Sequence, residues 1–126
     1  MKKIVNTTDA PEPVGPYSQA IVSGNLIFVS GQIASHPFTG ELITKEIIPA
    51  THLVMENIGA ILEKAGAGFS DIVKTTIFLT DMGDFAEVNE VYGSYFTDKF
   101  PARETVQVAA LPKGVNVEIS VIAAKP

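Results

Sequence analysis

The segment from residue 115 to residue 123 constrains the fold most, because residues 115–121 alternate apolar and polar without a break. The apolar positions are Val115, Val117, Ile119 and Val121, and the polar positions between them are Asn116, Glu118 and Ser120. A strand with this period of two turns one face toward a core and the other toward polar surroundings. The chain is therefore predicted to contain a sheet with one apolar face.

Four more segments have the composition of strands. They are 17–22, 26–30, 72–79 and 105–109. Ser23-Gly24-Asn25 joins the first two as a tight hairpin, because Gly and Asn tolerate positive φ. Gly31 predicts a bulge or a place where another group approaches the backbone closely. The turn around 111–114 is expected to join the last two strands, 105–109 and 115–123, as a second hairpin.

Two segments have the period of an amphipathic helix. The first starts near Pro49, and Gly66 and Gly68 end it. Its apolar positions are Ala50, Val54, Ile58, Ile61 and Ala65. The second is capped by Asp81 or Asp84 and is expected to stop at Phe100-Pro101. Its inner stripe is Phe85, Val88, Tyr92 and Tyr95.

The predicted order is hairpin, helix, strand, helix, hairpin. This order indicates an α+β fold in one domain over residues 1–126, with a mixed sheet and both helices on one of its faces. The other face needs a cover. In a chain of 126 residues we expect that cover to be another copy of the chain.

Composition narrows the classes of function. Nine Lys and Arg residues stand against fourteen Asp and Glu, and the net charge is -5. Nucleic-acid binders usually show a basic footprint, which this sequence lacks. The absence of Cys excludes disulfides, thiolate metal sites and Cys nucleophiles.

The N-terminus turns polar at Asn6, and no segment approaches the roughly 20 apolar residues of a membrane helix. A cytoplasmic location is expected.

Few polar residues are candidates for chemistry. Arg103 precedes a strand, and its planar fork suits a carboxylate. The alternative interpretation is that Arg103 is an ordinary surface residue without a binding role. Glu118 lies among valines and isoleucines, either facing solvent or held in a site. The last hairpin could bring Glu118 near Arg103, although the register is not determined.

His36 and His52 are far apart and are interpreted as structural or surface residues, so no metal site is predicted.

A set of motifs in order resembles the RidA family of reactive intermediate deaminases, also called the YjgF or UK114 family. The resemblance runs from about Ile4 to Ala123. The motifs are Gly15-Pro16-Tyr17-Ser18-Gln19-Ala20, Ser30-Gly31-Gln32, the segment 71–79 with Asp81 and Phe85, Val88-Asn89 with Tyr92, Pro101-Ala102-Arg103 with Val106, Leu111-Pro112-Lys113, and Val117-Glu118-Ile119.

The resemblance implies a chorismate-mutase-like fold and a homotrimer with three clefts between neighbouring subunits. It implies metabolite damage control by hydrolysis of short 2-amino-2-enoates, such as 2-aminoacrylate and 2-aminocrotonate, to 2-keto acids and ammonia. No cofactor or metal is implied. A single Arg, a single Glu and backbone donors can hold the anion, position water and manage a proton.

The resemblance also implies roles for individual residues. Arg103 would clamp the substrate carboxylate, and Glu118 would hold or activate the attacking water. Tyr17 and the Ser30-Gly31 segment would line the cleft. Thr105 stands where many relatives have Cys, which excludes thiol chemistry but leaves its backbone N–H as a donor.

Other functions stay open. The same cleft could bind 2-keto acids for regulation without catalysing any reaction. An endoribonuclease or translation inhibitor is a second alternative, against which the acidic balance argues. A stress-type holdase is a third.

Overall fold

The computed structural model describes residues 1–125 and contains one mixed six-stranded sheet and two α-helices. The strand order is β1-β2-β3-β6-β4-β5. The elements are β1 (Lys3–Val5), β2 (Ala20–Ser23), β3 (Leu26–Ile33), α1 (Ile47–Lys64), β4 (Ile72–Leu79), α2 (Phe85–Gly93), β5 (Ala102–Gln107) and β6 (Val117–Ala124). The predicted α+β class, with a mixed sheet, is confirmed.

The predicted hairpin between β2 and β3 is confirmed, and Gly24 in its turn has a positive φ of 60°. The predicted bulge is also present, because the register of β3 against β6 shifts between Val29 and Gln32, around Gly31. Three details differ. β2 begins at Ala20 rather than Tyr17, β3 continues to Ile33 rather than ending at Ser30, and the short edge strand β1 is absent from the prediction. Three residues are too few to show a period of two.

The predicted second hairpin is wrong. β5 and β6 are not neighbours, because β4 lies between them and pairs with β5 in parallel and with β6 in antiparallel. The crossover through α2 makes the parallel pair possible. Alternation along β6 shows which face is buried but carries no information about its partner strand. The final strands are also displaced from 105–109 and 115–123 to Ala102–Gln107 and Val117–Ala124.

Helix α1 ends as its glycines predict. Gly66 has a φ of +81°, and its N–H donates to Glu63 O at 2.9 Å while Ala67 N–H donates to Leu62 O at 2.9 Å. This pair of bonds satisfies the last carbonyls of the helix. Pro49 lies in the first turn, where its missing N–H costs nothing. Over residues 1–125, neither helix combines the length and the apolarity that crossing a membrane requires.

Helix α2 ends at Gly93, well before the predicted stop at Phe100-Pro101. Ser94 Oγ donates to Val91 O at 2.6 Å, which competes with the helical ladder. Tyr95 then turns back toward α1, where its hydroxyl lies 2.8 Å from His52 Nδ1. At the other end, Asp81 caps the 3₁₀ turn that precedes α2 by accepting from Gly83 N–H at 2.8 Å.

Both helices pack on one face of the sheet, as predicted. This helix face of the sheet is built from alternate strand residues, and fully buried α1 side chains such as Met55 and Ile58 fill the space above it. The opposite side of the sheet carries no helix. We call it the open face, and its central residues are Phe28, Thr76, Phe78, Val106, Glu118, Ser120 and Ile122. Phe28 is 42% exposed and Val106 is 40% exposed there.

Candidate functional site

Glu118 is a carboxylate on a strand whose adjacent residues are in the core. Val117 and Ile119 are fully buried on the helix face, so Glu118 projects from the open face. It lies opposite Ile33 of β3 and Phe78 of β4. Partial burial raises the pKa of the Glu118 carboxyl, because desolvation disfavours its charged form. The carboxylate is therefore a stronger proton acceptor than one in water.

Gly31 lies against the Glu118 carboxyl group. A Cβ built at Gly31 would overlap the Glu118 Oε2 atom and come within 2.8 Å of its Cδ. The β-bulge around Gly31 thus brings bare backbone against the carboxylate, and any larger residue would displace it. This contact explains the glycine that the sequence pattern singled out.

Ser30 connects this region to the segment that carries Tyr17. Ser30 Oγ donates to Ser18 O, and Ser30 N–H donates to Gln19 O at 2.9 Å. Tyr17 is half-exposed at the start of that segment. Tyr17, Ser30, Gly31 and Glu118 therefore belong to one region of the fold, which we call the Glu118 group.

Gln19 is a structural residue that sequence reasoning missed. Its buried side chain accepts from Thr7 N–H at 2.8 Å and donates to Thr7 O at 3.0 Å and Pro11 O at 2.9 Å. These bonds fix the proline-rich loop from which Tyr17 projects. The residue was visible in the Gly15–Ala20 motif, but a buried glutamine cannot be told from an exposed one by its identity.

Arg103 lies on β5, an edge strand that β4 separates from β6. It pairs with Thr75 of β4, and its guanidinium carbon lies 5.3 Å from the ring centre of Tyr92 and 5.7 Å from that of Phe85. Among residues 1–125 the one salt bridge joins Lys74 to Glu104, so no described carboxylate neutralises Arg103. The N–H groups of its planar fork stay available to an external anion.

Thr105 adds a backbone donor next to Arg103. Val108 N–H donates to Leu79 O at 2.8 Å, so the alternate residues Arg103 and Thr105 direct their N–H groups away from β4. β5 is the last strand of the sheet, and these N–H groups therefore lie at a free edge. The Thr105 Oγ1 atom is buried without a hydrogen-bond partner among the described residues. Arg103 and Thr105 are called the Arg103 group below.

The two groups do not meet within one chain. Arg103 shares the helix face with Thr75 and Tyr92, whereas Glu118 projects from the open face. The hypothesis that the last hairpin brings Glu118 near Arg103 is therefore wrong, because that hairpin does not form. Arg103 lies in an open depression with Asn89, Tyr92 and Phe100, and Tyr17 lines a different one.

The two histidines have local partners. His36 Nδ1 accepts from Phe38 N–H at 3.2 Å, and His52 Nδ1 pairs with the Tyr95 hydroxyl. Within residues 1–125, His, Asp and Glu side chains form no group of three that could hold a metal ion.

Comparison with known proteins gives consistent matches over nearly the whole chain. The family model described as Endoribonuclease L-PSP matches residues 7–125. A RutC family protein of Pyrococcus horikoshii is 51% identical over 99% of both chains. The 2-iminobutanoate/2-iminopropanoate deaminase of mouse is 45% identical over 98% of this chain and 91% of that protein. The crystal structure of TdcF from E. coli with bound serine is similar with a TM-score of 0.94 and 43% identity, covering 98% of this chain and 99% of that one.

Proposed function

Since this chain belongs to the Endoribonuclease L-PSP family, also called the RidA family, we propose that it hydrolyses 2-iminobutanoate and 2-iminopropanoate. These are the imine tautomers of 2-aminocrotonate and 2-aminoacrylate. Water adds to the imine carbon, the carbon–nitrogen bond then breaks, and the products are a 2-keto acid and ammonia. The mouse relative carries the name of this activity. The protein would act in the cytoplasm as one domain over residues 1–126.

The observation that carries the proposal is the state of Arg103. Its guanidinium is supported by two aromatic rings and has no described carboxylate partner, and the N–H of Thr105 faces the free edge of β5. A fork of charged N–H groups beside a backbone donor fits a small carboxylate. A 2-imino acid presents that carboxylate one bond from its reactive carbon. Binding the anion therefore also positions the carbon that water attacks.

Glu118 is the proposed general base. Its raised pKa makes the carboxylate a better acceptor for a proton of the attacking water, and the same proton can then pass to the departing nitrogen. The imine is already electrophilic, so orientation and one proton acceptor are enough. Tyr17, Ser30 and Gly31 would line the side of the cleft that contains Glu118.

Since the Arg103 group and the Glu118 group lie on opposite faces, we propose that the complete site forms between two copies. The free edge of β5 in one copy would lie against the open face of the next. Such a contact joins unlike surfaces, and repeated contacts of this kind form a ring when the rotation between neighbouring copies closes. A homotrimer with three clefts agrees with the exposed Phe28 and Val106 on the open face.

In the test, the substrate is generated in the same mixture in which it is hydrolysed. A Thr dehydratase generates 2-aminocrotonate, and the decay of the imine is followed with wild-type protein, with Arg103→Ala and without protein. We expect the wild type to accelerate decay and Arg103→Ala to lose about 10²–10³-fold in kcat/KM, the cost of removing one partner of a charged hydrogen-bonded pair. Tight binding of 2-oxobutanoate without acceleration would favour a regulatory binding protein instead.

A second experiment tests the endoribonuclease activity that the name of the family model contains. Single-stranded RNA is incubated with the protein at rising salt concentrations. RNA binding through phosphate contacts would weaken steeply with salt, and cleavage that Arg103→Ala leaves intact would point to a separate activity. With a net charge of -5, we expect neither binding nor cleavage.

A further inference from the structure

Arg103 is held by aromatic faces rather than by an opposite charge. Phe85 and Tyr92 lie in α2 about two helical turns apart, so both present the same side of the helix to the guanidinium. The guanidinium carbon is 5.7 Å and 5.3 Å from their ring centres. Both distances are within the range of a cation–π contact.

Tyr92 is itself fixed to the sheet. Its hydroxyl donates to Thr75 Oγ1 at 2.8 Å, and Thr75 is fully buried directly opposite Arg103 in the parallel register. Tyr92 is 4% exposed, so its ring has little freedom to move. The support under the guanidinium is therefore anchored on the strand next to the one that carries Arg103.

We propose that Phe85 and Tyr92 are positioning residues that aim the Arg103 fork at the free edge of β5. This inference rests on the proposed function. A ring that packs on the face of a guanidinium leaves its N–H donors free, because those donors lie in the guanidinium plane. Aromatic support therefore fixes the direction of the fork and leaves every donor to the substrate. A carboxylate partner in the same place would occupy the donors that the substrate needs.

The main test compares matched substitutions of phenylalanine. Phe85→Leu removes one ring, Phe85→Tyr keeps a ring, and Phe38→Leu makes the same change at a loop residue that is 72% exposed. We expect Phe85→Leu to raise KM for the imino acid and Kd for 2-oxobutanoate by about threefold to tenfold, as loss of a cation–π contact predicts. The effect on kcat should be smaller. Phe85→Tyr and Phe38→Leu should match the wild type.

A double-mutant cycle separates positioning from general damage to the fold. In an Arg103→Ala background, Phe85→Leu should not weaken 2-oxobutanoate binding further, because the guanidinium that the ring would orient is absent. An equal loss in both backgrounds would overturn the inference. Tyr92→Phe keeps the ring and removes the bond to Thr75. It should raise KM by about twofold to fivefold, the range expected for one lost hydrogen bond.

A spectroscopic readout does not depend on turnover. Arg103 is the only arginine in the sequence, so its Nε–H gives a single unambiguous NMR signal. Ring faces should shift this proton upfield, and Phe85→Leu should return it toward the solvent value. An unshifted signal in the wild type, or one that Phe85→Leu leaves in place, would refute the inference even if the enzyme is active. A shifted signal without imine turnover would refute the proposed function alone.

Discussion

Arg103 and Glu118 are charged side chains without a described neutralising partner, and each is partly withdrawn from water. Lys74 and Glu104 on the same part of the sheet neutralise each other at 3.3 Å. Partly buried charges without partners cost stability, and that cost is a common mark of a functional site. The partners of Arg103 and Glu118 are therefore expected to come from outside the protomer.

Glu118→Gln tests the proposed base. The substitution keeps the shape and removes the proton acceptor, so kcat should fall by about 10²–10³-fold. Because the pKa of Glu118 is raised, wild-type activity should fall with decreasing pH at a higher pH than an ordinary glutamate would give. This acid limb should disappear in Glu118→Gln. Rates across a pH series check it, and 2-oxobutanoate affinity should change far less, since Arg103 supplies that affinity.

Two substitutions of Thr105 distinguish a role of its backbone N–H from a role of its side chain. Thr105→Cys should change kcat/KM by less than about tenfold, or 1.4 kcal/mol of barrier, because the N–H is retained. Thr105→Pro removes the N–H at a position where it faces away from β4, which an edge strand tolerates. Its kcat/KM should fall by about tenfold or more, the cost of one donor to a charged ligand. Circular dichroism confirms the fold, and equal rates in Thr105→Pro would exclude the backbone donor.

At the scale of elements, β3 depends on its bulge at Gly31. In Gly31→Ala the new methyl group would displace the Glu118 carboxylate. Activity should fall by at least about tenfold, as loss of a positioned base predicts, while the thermal transition stays cooperative. Gly68→Ala is the matched control, because nothing lies within 4 Å of its Cβ position and its φ is not positive. Similar losses in both variants would mean that the carboxylate has room to move aside.

The elements show what sequence patterns can and cannot predict. Gly31 and Gly66 were both recognised, because a bulge and a left-handed residue at a helix end impose local demands that glycine meets. The pairing of β5 was not recognised, since strand partners depend on contacts far apart in the sequence. The sequence did identify Arg103 and Glu118 as candidates. It left open whether one hairpin brings them together, whereas in the structure their side chains project from opposite faces of the sheet.

For the whole molecule, assembly is the property on which the proposed site depends. Phe28→Glu places a charge on the open face, where an assembled trimer would exclude water. We expect this variant to sediment as a monomer and to lose activity at micromolar concentration, whereas the wild type sediments as a trimer. Phe38→Glu makes the same change in a loop and should leave the trimer intact. A wild-type monomer with full activity would contradict the proposed shared cleft.

The opposite orientation of Arg103 and Glu118 has a genetic consequence. Arg103→Ala subunits still have a normal glutamate, and Glu118→Gln subunits still have a normal arginine. When two such inactive proteins are co-refolded in equal amounts, about a quarter of the clefts in randomly mixed rings should receive both intact residues. The mixture of two inactive variants would thus recover about one quarter of wild-type activity. If one subunit supplied both residues of each cleft, no mixture of the two would recover any activity.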